Sequence, residues 1–138
     1  MVVTIKKSDF DNITAYAKQS LPHEACGLVA GRKEKENIII EKVYYLTNTD
    51  HSREHFSMDP KEQLQAVKDM RANGMSFLGN WHSHPETPSR PSKEDIRLAY
   101  DEKAVYLILS LEDPFQPVLN AFHIIRGEAQ KDELYIIP

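Results

Sequence analysis

The sequence predicts an α/β protein with a mixed central β-sheet flanked by helices. Two observations carry that reading. Short apolar, β-branched runs such as "CGLVAGR", "NIIIEKVYYLTN" and "AVYLILSL" have the length and composition of strands. Between them lie stretches whose apolar residues recur at helical spacing behind capping residues. Five or six strands interleaved with helices assemble as a sheet with helices on its faces. The length agrees: 138 residues, 41% hydrophobic and 28% charged, suit one compact domain over residues 1–138 that buries a core without staples.

The elements follow in order. "SDFDNITAYAKQSL" reads as a helix capped by Ser8, with Phe10, Ile13, Ala17 and Leu21 on one face and Pro22 ending it. "CGLVAGR" is a buried strand and "NIIIEKVYYLTN" a longer one, followed by a polar loop over 49–58. Asp59, Pro60 and Glu62 announce a second helix: Asp59 caps it, Pro60 suits its first turn and Glu62 can bond back to the cap. Leu64, Val67 and Met70 supply its apolar face, and Gly74 follows its end. "SFLGNWHSHP" reads as a strand and "PSKEDIRLAYDE" as another capped helix. "AVYLILSL", "LNAFHIIRG" and "DELYIIP" complete the strands.

Composition narrows the function classes. The single cysteine, Cys26, excludes an internal disulfide and a metal site of several thiolates, and it fits a reducing compartment. The start "MVVTIKKSDFD" has lysines after a very short apolar run, the wrong order for a secretory signal. No apolar stretch approaches the roughly 18 residues that span a bilayer. The expectation is a cytoplasmic protein without a membrane partner. The formal net charge of −4 and the scattered basic residues argue against nucleic acid as the main partner.

Residues 79–96, "GNWHSHPETPSRPSKEDI", carry the chemistry. Side chains alternate along a strand, so His82 and His84 project the same way with roots roughly 6.6 to 7 Å apart. Both imidazoles can then meet one ion at about 2.0 Å. Pro85 ends the strand, Ser89 to Pro91 turn the chain, and Ser92 opens a helix whose first turn holds Asp95. Two nitrogens and one oxygen leave a tetrahedral position open, as in catalytic rather than structural zinc sites. The same residues have a purely structural reading, because Ser92 and Asp95 stand at capping-box spacing and a His-x-His pair alone is a weak motif. A cap and a ligand are compatible roles. A catalytic zinc also needs a general base, and no glutamate lies between the histidines. Glu24 in "LPHEACGLVAG" precedes a buried strand, where desolvation raises a carboxyl pKa. It is one candidate among many carboxylates.

"PHEACGLVAG", "HSHP" and "PSKED" together resemble the JAMM (MPN-plus) metalloprotease signature: a Glu, then His-x-His, ten intervening residues, and Asp. Ten residues separate His84 from Asp95, and Ser92 stands where the family places its serine. The resemblance covers essentially the whole chain in element order and length. It implies a cytidine-deaminase-like sheet fold and one zinc per chain held by His82, His84 and Asp95. It also implies that Glu24 takes a proton from the attacking water and passes it to the leaving amine, while Ser92 stabilises the oxyanion. Family enzymes cleave isopeptide or peptide bonds after the C-terminal glycine of ubiquitin-like proteins. The chain has no room for the long insertions of eukaryotic polyubiquitin-cleaving members and is similar to the small prokaryotic branch. The partner so implied is a ubiquitin-like or sulfur-carrier protein ending in Gly-Gly. A non-catalytic protein-binding module of the same fold is the alternative. Some DNA-repair-linked proteins carry a similar run, but the acidic balance disfavours that role.

Several other residues bear on the site. Cys26 follows Glu24 by two and can either line the site or fill a strand start. His23 neighbours Glu24 and can orient it or stay on the surface. Trp81 points away from the ligands by strand parity, toward the core. His51, Arg53, His55 and Phe56 lie on the loop that can border a substrate groove, and His123 reads as structural. The identity of the carrier, the leaving group and the oligomeric state lie outside the motif, which is compatible with a homodimer.

Overall fold

The computed structural model describes residues 1–138. The chain forms strands β1 (Val2–Lys6), β2 (Cys26–Glu34), β3 (Asn37–Leu46), β4 (Ser76–His84), β5 (Val105–Ser110), β6 (Val118–Ile125), β7 (Glu128–Lys131) and β8 (Glu133–Ile137). Its helices are α1 (Lys7–Ser20), α2 (Pro60–Ala72) and α3 (Lys93–Arg97). All eight strands belong to one sheet in the order β7-β6-β5-β4-β2-β3-β1-β8. The sheet is mixed: β1 runs parallel to β3 and β8, β4 runs parallel to β5, and the remaining neighbours are antiparallel. Only Asp132 separates β7 from β8, although they stand at opposite ends of that order. The sheet therefore curls until its ends meet, and the Asp132 amide donates to the Ala121 carbonyl on β6 at 2.9 Å.

Two of these strands are absent from the sequence reading. β1 is short, but Val3 and Ile5 alternate inward and are fully buried. It enters α1 directly through extended Lys6, so Ser8 lies inside the helix and caps nothing. β7, "EAQK", is exposed throughout and has no apolar pattern to announce it; only pairing with β6 makes it a strand. α2 departs from expectation in its face. Asp59 does cap it by accepting from the Lys61 amide, yet Ala66 and Met70 are its buried residues and Leu64 is 55% exposed. Glu62 accepts from the Thr47 amide at 2.7 Å instead of closing the cap. α3 is one turn long, shorter than its apolar residues suggest, and leaves Leu98 and Tyr100 on the surface.

α1 covers one sheet face, where Ile13 and Ala17 join Val3, Ile38, Val29, Trp81 and Leu107 in the larger core. α2 covers the other, where Ala66 and Met70 pack on Leu28, Ala30 and Leu46. No helix is long and apolar enough to cross a membrane. Trp81 is fully buried, with its indole N–H donating to the Tyr44 carbonyl at 3.0 Å and its ring edge-on to Tyr16 and Tyr45. Gly27 makes that seat possible. A Cβ there would stand 1.8 Å from the Tyr44 oxygen and 2.3 Å from the Trp81 indole nitrogen. Gly27→Ala is expected to destabilise the fold by about 3 kcal/mol, at the upper end of overpacking costs, measured as a lower urea midpoint. A midpoint equal to that of the parent would show that the Trp81 seat has slack.

Candidate metal centre

Strand β4 builds the site by alternation. Its odd members Trp81 and Ser83 face the larger core side, and its even members His82 and His84 face the side that carries α2 and α3. A bulge sets that parity. The register with β2 slips between Val29 and Ala30, so Leu78 lies inside the same core as Trp81 although regular alternation would separate them. Beyond β4, Ser89 donates to the Ile108 carbonyl at 2.6 Å and Ser110 donates to the Thr87 carbonyl at 2.6 Å. These bonds fold the proline-rich turn back over β5 and deliver Ser92. Its side chain accepts from the Asp95 amide at 3.0 Å, and its own amide donates to Asp95 Oδ2 at 2.9 Å. This reciprocal capping box aims the Asp95 carboxylate at the histidines.

Three ligand atoms converge. His82 Nε2 and His84 Nε2 are 3.1 Å apart, and they stand 3.2 and 3.1 Å from Asp95 Oδ2. Ligands about 2.0 Å from a tetrahedral ion are about 3.3 Å from one another, close to these edges. Protonation makes the case stronger. His84 Nδ1 is 2.9 Å from the Pro88 carbonyl, which can only accept, so Nδ1 carries a proton and Nε2 is the ring nitrogen turned toward Asp95. Burial pushes the His82 pKa down and keeps the ring neutral. Burial works to raise the Asp95 pKa, but the two imidazoles and the Ser92 amide outweigh it and hold the carboxyl well below its ordinary range. A neutral His82 and an ionised Asp95 are protonation states that metal binding needs. Two imidazole nitrogens and a carboxylate oxygen at these separations make a donor set that fits a metal ion.

Glu24 stands beside this cluster, 3% exposed, with Oε1 buried and without a hydrogen-bond partner. Burial, then the negative charges of Asp95, Glu94 and Glu54, push its pKa up to about 9. Its backbone is held on all sides. The Ala25 amide donates to Ser83 Oγ at 2.8 Å, and the Ser83 amide donates to the Ala25 carbonyl at 3.0 Å. The Glu24 amide donates to the Ser52 carbonyl at 2.7 Å, and its carbonyl accepts from Asn48 at 3.0 Å. Ser92 is exposed at the site's edge, and because its oxygen accepts from the helix, its O–H remains free to donate outward.

The secondary residues sort themselves by position. Cys26 pairs opposite His82 and is fully buried, and burial pushes its thiol up to about 12. His23 leans on His51, with ring centres 5.9 Å apart, and leaves the Glu24 carboxyl alone. His123 is buried and its Nδ1 lies 2.6 Å from Asp132. Phe56 stacks on His82 at 4.7 Å between ring centres. Next to His82 and Asp95 opens a cleft of about 300 Å³, with Phe56, Met58, Asn80, Leu98, Tyr100 and Tyr106 on its walls. Asn48 and Ser83 are absent from the sequence reading, since nothing local distinguishes a bridging amide or hydroxyl from an ordinary polar residue.

Fold and site together define a mixed-sheet α/β protein with a cluster of two histidines and an aspartate that could hold a metal ion. Residues 6–124 match the family described as prokaryotic homologs of the JAB domain, and the chain belongs to that family. It is 27% identical to the CysO-cysteine peptidase of Mycobacterium tuberculosis over 136 residues, 99% of this chain and 92% of that one. It is 33% identical to a probable TtuB-protein conjugate cleaving protease of Thermus thermophilus over 100 residues, 72% of this chain and 64% of that one. Among solved structures it resembles protein DSY2949 of Desulfitobacterium hafniense, with a TM-score of 0.89, 50% identity and coverage of 99% and 92% of the two chains. AF2198 of Archaeoglobus fulgidus, a JAB1/MPN domain protein, shares the fold with a TM-score of 0.60, 22% identity and coverage of 97% and 98%.

The buried Glu24 has a consequence for stability in chelator-treated protein. Between the ordinary carboxylate range and about 9, the folded chain keeps a proton that the unfolded chain has lost. Stability contributed at this position therefore falls as pH rises through that window. Melting curves from about pH 5 to about pH 9 should show Glu24→Gln gaining steadily on the parent as pH rises. Parallel profiles would mean that Glu24 titrates like a surface carboxylate.

Proposed function

We propose that this chain is a zinc-dependent peptidase or isopeptidase. It hydrolyses the bond after the C-terminal Gly-Gly of a ubiquitin-like or sulfur-carrier protein. The observation that carries the reading is the convergence of two imidazole nitrogens and a carboxylate oxygen, within 3.1 to 3.2 Å of one another, beside a buried, unpaired glutamate. The relatives support the substrate class, since one is named for cleaving a CysO–cysteine linkage and another for cleaving TtuB–protein conjugates.

His82, His84 and Asp95 would hold one zinc. Zinc held there would supply Lewis-acid polarisation of a carbonyl and a nucleophile at neutral pH. Glu24 accepts a proton from the attacking water and returns it to the leaving amine as the C–N bond breaks, so the carboxyl ends as it began. In the metal-free chain burial keeps Glu24 protonated, so it would take up the base role only once a cation held by His82, His84 and Asp95 favours its carboxylate; its buried position then suits holding the proton between the two transfers. Ser92 donates its free O–H to the developing oxyanion. The cleft beside His82 offers an apolar wall to an extended chain segment. With its one buried thiol, the protein suits the cytoplasm.

Two variants test the assignment. Metal analysis of protein purified without chelator is expected to give about one zinc per chain, lost in Asp95→Ala. Glu24→Gln should keep the zinc and lose turnover of a carrier fusion cut after Gly-Gly by a factor on the order of 100 or more. Zinc absent from the parent even after reconstitution would sink the enzymatic reading and leave a non-catalytic binding module. Retained turnover in Glu24→Gln would remove Glu24 from the mechanism.

A further inference from the structure

We propose that Asn48 is a positioning residue whose carboxamide clamps the candidate base Glu24 and the candidate ligand His82 into one frame. The proposal rests on the roles given above to those two residues. Asn48 follows β3, is 8% exposed, and forms an isolated bridge with Met58 that closes the 49–57 loop. Its side chain spends its whole hydrogen-bonding capacity on backbone. Nδ2 donates to the Glu24 carbonyl at 3.0 Å and to the His55 carbonyl at 3.2 Å. Oδ1 accepts from the Asp50 amide at 3.0 Å and from the Ser57 amide at 3.2 Å. Two carbonyls on one end and two amides on the other leave no ambiguity about which way the amide points.

One end of this clamp is Glu24. Its carbonyl is held by Asn48 and its amide by Ser52 of the same loop, so the loop grips both polar groups of its backbone. The carboxyl has no partner of its own at Oε1, so its place is set by the backbone that carries it. The other end is His82. The His84 ring is oriented by the Pro88 carbonyl, but His82 Nδ1 is buried without a partner. What lies flat against the His82 ring is Phe56, with ring centres 4.7 Å apart and planes within 28°. Phe56 sits between the two loop residues, His55 and Ser57, that Asn48 holds. The chain of contacts runs from Glu24 through Asn48 to Phe56 and His82. Metal ligands usually take their orientation from a hydrogen bond on the second ring nitrogen. In His82 a stacked ring, fixed by Asn48, takes that part.

Asn48→Asp keeps the size and the acceptor oxygens but removes both donations. In the zinc-loaded protein, kcat on a Gly-Gly-terminated carrier fusion is expected to fall about tenfold or more, with KM within about twofold. In a Glu24→Gln background the same change should cost less of the residual rate, since only the part that runs through His82 is left to lose. Amide hydrogen exchange gives a readout independent of turnover: the Glu24 amide should speed up as its stretch loosens, with β5 unchanged. At the other end, Phe56→Leu keeps the loop's backbone bonds and should release zinc to a chelator about tenfold faster. A parent that binds zinc but cleaves nothing would refute the proposed function, and the exchange and release measurements would still decide the clamp. Unchanged kcat with an unchanged Glu24 amide overturns the proposal, as does a rate loss that persists in full in the Glu24→Gln background. Unchanged zinc release in Phe56→Leu overturns the His82 end. Should Asn48→Asp fail to fold, the parent decides: a shared opening rate for the Glu24 and Ser57 amides supports the clamp, and independent rates overturn it.

Discussion

Parity along β4 is the constraint on which the rest depends. A strand presents alternate residues to opposite faces, so one register decision places Trp81 in the main core and both histidines on the opposite face. Burying Trp81 and its indole bond therefore locks the histidine pair in place. The stability of that seat and the direction of the ligands are one physical fact. The bulge near Leu78 makes both possible, since it lets Leu78 and Trp81 share a core despite the odd number of steps between them. A slip of one residue would send the imidazoles into the apolar layer under α1.

The third ligand atom arrives by a different kind of local order. α3 is one turn, too short to hold itself by its own ladder. Its reciprocal cap gives it a defined start, and the same cap bonds the Asp95 carboxylate and aims it inward. Structural and chemical readings of the Ser92–Asp95 pair thus describe the same hydrogen bonds. The serine hydroxyl keeps a proton to donate because the helix uses only its oxygen. An Asp at this spacing serves better here than a longer Glu would, since the carboxylate must satisfy the Ser92 amide and still reach the histidine nitrogens.

The site concentrates polar costs that the fold meets elsewhere. Glu24 is buried with an unpaired oxygen, and His82 Nδ1 is buried without a partner. Such groups persist only where the surrounding backbone is overdetermined. Here two hydroxyls, one carboxamide and the Ser52 carbonyl bind the main chain around Glu24 and His84, and the Pro88 carbonyl binds the His84 ring. The 49–58 loop consequently behaves as part of the site's wall rather than as a simple connection.

How much of this was legible in the chain follows from how local each feature is. The sequence by itself determined the mixed α/β class, six of the eight strands and the cap at Asp59, because periodicity and capping act over a few residues. It also marked His82, His84, Asp95, Ser92 and Glu24 as candidates, through spacing and family resemblance. Tertiary structure decided the rest. β1 and β7 exist because distant strands pair with them, Ser8 lost its capping place to that pairing, and Leu64 gave way to Ala66 on the face of α2. Only the folded chain brings Glu24 alongside a strand 58 residues further on, through Ala25 and Ser83. Only there do Asn48 and Phe56 acquire partners. Hydrogen bonds and stacking between residues far apart in the chain leave no periodic trace in it, so no reading of local pattern can reach them.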